Sequence, residues 1–282
     1  MNAEVHGDPL AGTTAVVSGG SSGIGLATAR LLAHGGCRVA LLARDRGRLD
    51  RAVQTIRGEV ASAVATAHSC DVTDSDAVRR AVAQIVDKHG GIDSLVNCAG
   101  FDRDFARIMT ADAQPSAIED LERVIDTDLL GTARLTFCVE PLLRVRGRGT
   151  IVNLAATPLL DRRPDHLIYQ VARSGVVTLT EVLARQHRAA AIEGVRAYCV
   201  ALGNVFNPST FAGMSPTVRK MADDEGWLDS FVHVAPTIVA LLSGRLVRAD
   251  GALLRVDVGT VRELFQEMNL DCAPFSPPRA NG

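Results

Sequence analysis

Short apolar runs alternate along the chain with longer stretches whose apolar positions recur at helical spacing. The short runs fall at residues 13–18 (TTAVVS), 38–42 (RVALL), 63–69, 92–97, 149–154 (GTIVNL), 195–201 and 252–256. Strands buried on both faces read as continuous apolar runs, and parallel neighbours need a crossover between them. Helix-length segments of about 12–28 residues supply those crossovers, the first over residues 24–34. The pattern is βαβα throughout. It predicts an α/β fold: a Rossmann-type, doubly wound, seven-stranded parallel sheet in strand order 3-2-1-4-5-6-7, in a single domain. Residues 1–12 read as an arm, 13–260 as the domain and 261–282 as a C-terminal extension. That extension reads as a short helical stretch from about Arg262, then a proline-bearing tail. Residues 204–226 are irregular, and with Phe206, Phe211, Met214, Met221 and the neighbouring Trp227 they read either as an apolar flap or as packing.

Composition narrows the function. The 282 residues are 47% hydrophobic, enough for a large core. Thirty Lys+Arg against 32 Asp+Glu leave a net charge of -2, which speaks against a nucleic-acid or membrane-surface partner. No apolar run approaches the roughly 18 residues of a membrane span, and the first ten residues lack a secretion signal. None of the six cysteines forms a C-x-x-C pair, so neither a metal site nor a disulfide framework is indicated, and a cytoplasmic setting is expected.

After the first strand the chain reads Ser18-Gly19-Gly20-Ser21-Ser22-Gly23-Ile24-Gly25. A dinucleotide pyrophosphate needs bare N–H groups at a helix start and no Cβ in the way, and glycines between a strand and a helix provide both. The second strand ends Leu42-Ala43-Arg44-Asp45-Arg46. A guanidinium at Arg44 can pair with a 2′-phosphate, which favours NADP(H) over NAD(H). Asp45 is the competing feature, and Arg44, Arg46 and Arg48 also read as a solvated helix start.

These motifs, with those that follow them in order, resemble the short-chain dehydrogenase/reductase family over residues 12–260. Asp71-Val72 follows the third strand, where the family borders the adenine ring. Asn97-Cys98-Ala99-Gly100 after the fourth is similar to the family's N-N-A-G element, with one Asn replaced by Cys. Ile151-Val152-Asn153 marks the fifth strand, Gly203 follows the sixth and Asp257-Val258-Gly259 the seventh. Tyr169-Gln170-Val171-Ala172-Arg173 stands where the family has Y-x-x-x-K. The resemblance implies cofactor contacts from Gly19, Ser21, Ser22, Gly23, Ile24, Gly25, Arg44, Asp71, Val72, Asn97, Ala99, Gly100, Tyr169, Arg173, Gly203 and Val205, and no metal. It also implies a small-molecule substrate and a homodimer or homotetramer built through the long fourth and fifth helices and the last strand.

The catalytic group that the resemblance implies is largely rewritten. In the family a Tyr exchanges a proton with the substrate oxygen while hydride moves, and a Lys four residues on binds the nicotinamide ribose. A Ser thirteen residues before the Tyr holds the oxygen, and an Asn in the fourth helix orders a relay water. Here Tyr169 is kept, one of two tyrosines; the other, Tyr198, lies in the sixth strand. The Lys position is Arg173, the Ser position Ala156, and the Asn position Asp128, within a stretch (124–131) similar to V-N-L-x-G. Leu202 replaces a Pro before Gly203. Arg173 can bond a ribose and attract a phenolate, but it cannot release a proton. Asp128 suits it as an ion partner, which predicts a direct Asp128–Arg173 contact in place of the water relay. Loss of the Ser hydroxyl removes a donor of a kind worth about 10²–10³ in rate. Thr157 is adjacent but points the other way in an extended segment. His166, three residues before Tyr169, and Asp102, Arg103 and Asp104, after the fourth strand, lie within reach of the cleft; each also reads as a solvated loop residue. A Tyr with an Arg is the pairing of the halohydrin dehalogenases too, but the intact glycine turn and missing Ser speak against them.

The resemblance therefore implies an atypical NADP(H)-dependent oxidoreductase acting on a carbonyl, alcohol or enone, with Tyr169 as acid/base. Two alternatives stand beside it. One is a non-redox enzyme of a biosynthetic pathway on the same fold: a dehydratase, lyase, isomerase or cyclase. The other is a non-catalytic nucleotide-binding or scaffold protein.

Overall fold

The structure, a computed structural model, describes residues 9–100, 117–156, 167–203, 205–206, 228–257 and 260–263. Each expected run contains a strand: β1 Thr14–Ser18, β2 Arg38–Ala43, β3 Ala65–Ser69, β4 Ser94–Asn97, β5 Gly149–Ala156 and β6 Val195–Leu202. Two short strands follow, β7 Val205–Phe206 and β8 Leu228–Asp229, then β9 Leu253–Asp257 and β10 Thr260–Glu263. The helices are α1 Gly23–His34, α2 Arg46–Glu59 and α3 Ser75–His89 before β4. After β4 come α4 Ile118–Val124, a π-helical turn Ile125–Leu130 and α5 Gly131–Arg146. Next are α6 Leu167–Ala189, a second π-helical turn Ser230–Val234 and α7 Ala235–Leu242.

The main sheet runs β10-β9-β6-β5-β4-β1-β2-β3. Its seven parallel strands stand in the expected order, 3-2-1-4-5-6-7, with β9 as the seventh. The eighth strand was not expected. Arg262 and Glu263, read from the sequence as the start of a helical stretch, are strand residues opposite Arg255 and Leu254 of β9. A bare β9 edge would leave a row of unpaired N–H and C=O groups, and the antiparallel return covers it. Separately, β7 pairs in parallel with β8. Phe211, Met214, Met221 and Trp227, expected either as a flap or as packing, lie outside the described residues, as do residues 1–8 and 264–282.

Alternate residues of each strand feed two cores. Val17, Val39 and Leu41 pack with Leu32 of α1, Ile56 of α2 and Ile238 of α7. Val16, Ala40 and Leu42 pack on the other face with Ile85 of α3 and Leu135, Val139 and Leu143 of α5. A line of buried polar groups then fixes the helices that carry the site. Asn97 Nδ2 donates to Asn153 Oδ1 (2.8 Å) and Thr136 Oγ1 (3.2 Å), and Asn153 Nδ2 donates to Thr180 Oγ1 (2.9 Å). These bonds tie α5 and α6 to the middle of the sheet, where an unmade bond would be costly.

At the far edge, β3 places Thr66 and His68 on one face. Thr66 Oγ1 lies 2.9 Å from His68 Nε2 and 3.0 Å from His89 Nε2. Burial, with the charges of His89 and Lys88, pushes His68 down to about 4. The unfolded chain takes up that proton near pH ~6.5. Between those values the unfolded state binds more protons, so stability falls as pH drops from about 6.5 to about 4. The urea midpoint is expected to fall across this window and His68→Gln to flatten the fall. An unchanged slope would assign the acid sensitivity to other groups.

Candidate active site

The glycine turn is built for close approach. Gly19 has φ +66°, and a Cβ there would meet Cys98 O at 2.8 Å. Gly23 has φ +52°, and a Cβ on Gly25 would meet Gly19 O at 2.4 Å. The turn is joined to the segment after β4: Ala99 N–H donates to Ser18 Oγ at 3.1 Å. Ser21, Ser22 and Ile24 complete it, with Ser22 as the N-cap residue of α1. That cap makes no side-chain hydrogen bond, and no acidic residue stands in the first turn. The next two helices differ. Asp45 caps α2 by accepting from Arg48 N, and Asp74 caps α3 by accepting from Asp76 N and Ala77 N. Only the helix behind the glycines, of these three, is left without a side-chain acceptor, the arrangement an anionic pyrophosphate fits.

The expected neighbours of a nucleotide lie along the same carboxyl end of the sheet. Arg44 is exposed and makes no ion pair among the described residues, whereas the Asp45 carboxylate is engaged as a helix cap. Asp71 Oδ1 accepts from Thr73 N and Thr73 Oγ1, which shapes the turn after β3, and Val72 is buried beside it. The Asn97 side chain faces the sheet interior, so only its main chain is open to a ligand. Gly203 follows β6 and half-buried Val205 opens β7. Thr157, His166, Asp102, Arg103 and Asp104 lie outside the described residues.

Tyr169 and Arg173 stand one turn apart near the start of α6. The Arg173 Cζ lies 5.1 Å from the centre of the Tyr169 ring. Arg173 Nη1 donates to Leu154 O of β5 at 2.9 Å, and Nη2 lies 2.9 Å from Asp128 Oδ2. The direct ion pair expected from the sequence is thus present. Asp128 is wholly buried and Arg173 nearly so. Burial pulls the guanidinium pKa down, but the Asp128 carboxylate and the Tyr169 phenol outweigh it, and the net direction is up. Arg173 Nε has no hydrogen-bond partner, a buried donor that a ribose hydroxyl fits. Two thiols flank the pair. Burial pushes Cys98 and Cys199 up to about 12, against the pull of Arg173, so both stay protonated. Ala156 ends β5 with its methyl buried.

Three glycines that the sequence reading left unassigned or assigned to the cofactor let this pair form. A Cβ on Gly100 would meet Arg173 Nη2 at 2.6 Å, so the Cys98–Gly100 segment lies directly on the ion pair. Gly175, in mid-helix, lets Leu129 pack onto α6, and Gly131 does the same for Val72 on α5. A glycine inside a helix is a legible signal of close approach. The π-helical turn that carries Asp128 has no comparable signature, although such turns concentrate at functional sites.

Fold and site together define a Rossmann-type α/β protein with an open dinucleotide-type turn and a Tyr-Arg-Asp cluster. The family model described as short chain dehydrogenase matches residues 13–214, and the chain belongs to that family. It is 33% identical over 196 residues to dehydrogenase/reductase SDR family member 4 of Homo sapiens, covering 70% of this chain and 67% of that one. It is 29% identical over 255 residues to the 3-oxoacyl-[acyl-carrier-protein] reductase FabG of Thermotoga maritima, covering 89% and 99%. Among solved structures, ribose-5-phosphate isomerase from Brucella melitensis superposes with a TM-score of 0.76 at 29% identity, covering 89% and 93%. The named reductases and dehydrogenases among these relatives mark an oxidoreductase-like enzyme family.

Truncating one member of the buried pair leaves the other charge uncompensated. Asp128→Ala is expected to cost about 3–5 kcal/mol of unfolding free energy, and adding Arg173→Met to recover most of it. Urea denaturation of the two variants measures both. A single variant as stable as the parent would mean that the pair carries no buried charge.

Proposed function

We propose that the protein is an NADP(H)-dependent oxidoreductase acting on a small-molecule carbonyl, alcohol or enone. One observation carries this reading: the uncapped start of α1, behind glycines that admit no Cβ, opens at the end of the sheet that also bears Tyr169 and Arg173. The family implies a nicotinamide coenzyme, and FabG is named as a reductase. The turn of Gly19, Ser21, Ser22, Gly23, Ile24 and Gly25 would hold the pyrophosphate, and Asp71 and Val72 would border the adenine. Arg44, exposed and without an ion pair among the described residues, would meet a 2′-phosphate, since the adjacent carboxylate, Asp45, is engaged in capping. Arg173 would bond the nicotinamide ribose through its free Nε.

The coenzyme, when bound, supplies or accepts a hydride at the substrate carbon. Tyr169 gives a proton to the substrate oxygen in reduction and takes it back in oxidation. Arg173 attracts the phenolate so formed but cannot pass a proton on. Ala156 offers no hydroxyl, so the substrate oxygen rests on Tyr169 alone among these positions. These substitutions make the protein an atypical member of its family. They also favour a second reading: a non-redox lyase, dehydratase or isomerase in which Tyr169 moves a proton and the nucleotide is structural.

For assembly, α5 and α6 suggest a second copy of the chain. Leu130, Phe137 and Val145 recur at one-face spacing along the π turn and α5, and Leu167, Val171 and Val182 do so along α6; all six are exposed. Two such stripes would be covered in the homodimer or homotetramer that the family implies.

Titration with NADPH and NADH, followed by coenzyme fluorescence, tests the reading; binding of neither would end it. Arg44→Glu is expected to weaken NADPH by about tenfold or more relative to NADH. Tyr169→Phe is expected to lower turnover by about 10²–10⁴ with coenzyme affinity nearly unchanged. Full activity in that variant would place the proton chemistry on another group.

A further inference from the structure

The π turn that carries Asp128 is held by a side chain outside the Asp128–Arg173 pair. Its widened bond runs from Gly131 N–H to Asp126 O. Arg134 Nη1 donates to the same carbonyl at 3.2 Å, and Nη2 lies 2.8 Å from Asp126 Oδ1. The guanidinium also reaches the turn after β3 and the start of α3. Nη1 donates to Val72 O at 3.3 Å and Nε donates to Ser75 Oγ at 3.2 Å. Gly131 closes the same contact from below, since a Cβ there would meet Val72 Cγ2 at 2.6 Å. One planar donor group therefore spans the π turn, the turn after β3 and the start of α3.

A π turn is an α-helix with one residue inserted, and one residue rotates a helix by about 100°. Relaxation of the turn toward α-helical bonding would swing Asp128 off the face it shares with Arg173. We propose that Arg134 is a positioning residue: by clamping Asp126 O to the Val72–Ser75 turn it keeps the π turn open and Asp128 in register with Arg173. Its consequence for ligands rests on the nucleotide reading above. The Asp71–Val72 turn would border the adenine, so the two ends of the coenzyme would meet parts of the chain joined by one clamp.

The test reads the pair directly, in the intact protein labelled with ¹⁵N-arginine. In the parent protein the Arg173 guanidinium protons should exchange slowly with water. Arg134→Gln is expected to speed their exchange at least about tenfold, while the backbone amides of α6 keep their protection. Arg134→Lys keeps the charge beside Asp126 but cannot bridge all three partners, and should behave the same way. Asp126→Ala, which removes only a half-exposed carboxylate, is the milder variant that carries the test if the others do not fold. Unchanged Arg173 exchange in the folded variants overturns the proposal, as does slow exchange retained by Arg134→Lys. NADPH titration of the same samples separates the two readings. Affinity is expected to fall along with Arg173 protection, whereas a parent protein that binds neither coenzyme sinks the redox reading and leaves the exchange result to decide the clamp.

Discussion

The site depends on one buried ion pair. Arg173 and Asp128 lie where β5, α6 and the π turn meet, and water reaches neither to any extent. Desolvating two charges is expensive, and attraction offsets that cost only when the geometry is close and the remaining donors are satisfied. The surrounding chain supplies the close geometry, although it leaves Arg173 Nε without a partner. Leu154 lends a strand-end carbonyl, Gly100 removes a side chain that would strike the guanidinium, and Gly175 lets the π turn lie against α6. The pair is therefore a constraint on the packing of three elements. Any change to the π turn, the segment after β4 or the first turns of α6 is felt at Tyr169 through it.

The second constraint is the helix start that the protein leaves alone. α2 and α3 begin with aspartates whose carboxylates accept from their first N–H groups. α1 begins with a serine that does not, behind a turn whose glycines would clash if given side chains. The sequence could cap this helix as it caps the next two. Leaving it open sacrifices roughly 1 kcal/mol of helix stability. That choice makes sense where an external anion completes the cap. Because Ala99 N–H bonds to Ser18 at the foot of the turn, and Gly100 lies on Arg173, the anion end and the tyrosine end of the cleft are joined within three residues of the chain.

The strand order and the positions of Tyr169, Arg173 and Asp128 were legible because each follows from a periodic or ordered signal. Continuous apolar runs gave the parallel strands, and the reciprocal Arg and Asp substitutions pointed to their own pairing. Other features had no such signal. β10 forms because an edge needs covering, and residues 260–263 carry no strand period that separates them from a helix start. The π turn is a local change of hydrogen-bond register, invisible to a 3.6-residue pattern. The side chain of Asn97, an expected cofactor contact, bonds Asn153 of β5 and Thr136 of α5, a direction that depends on which way a strand-end residue points. The bonds of Arg134 join segments about 60 residues apart, beyond any spacing rule.

The pair also fixes the proton inventory around the tyrosine. Arg173 keeps its proton, and Asp128 is held against it as a carboxylate. The neighbouring thiols of Cys98 and Cys199 are pushed up to about 12 and hold theirs. On the proposed reading, Tyr169 is the group that exchanges a proton with the substrate oxygen. A lysine in place of Arg173 could shuttle protons inward from a bound water, whereas a guanidinium locked to a carboxylate acts as a fixed charge. If Tyr169 acts as the proposed acid/base, each proton it donates would return from the substrate side of the cleft, through product or solvent, since Arg173 cannot pass one on. A site working in that way would favour chemistry that needs one proton per event at one oxygen, and would tie the rate of repeated turnover to how freely that oxygen meets water.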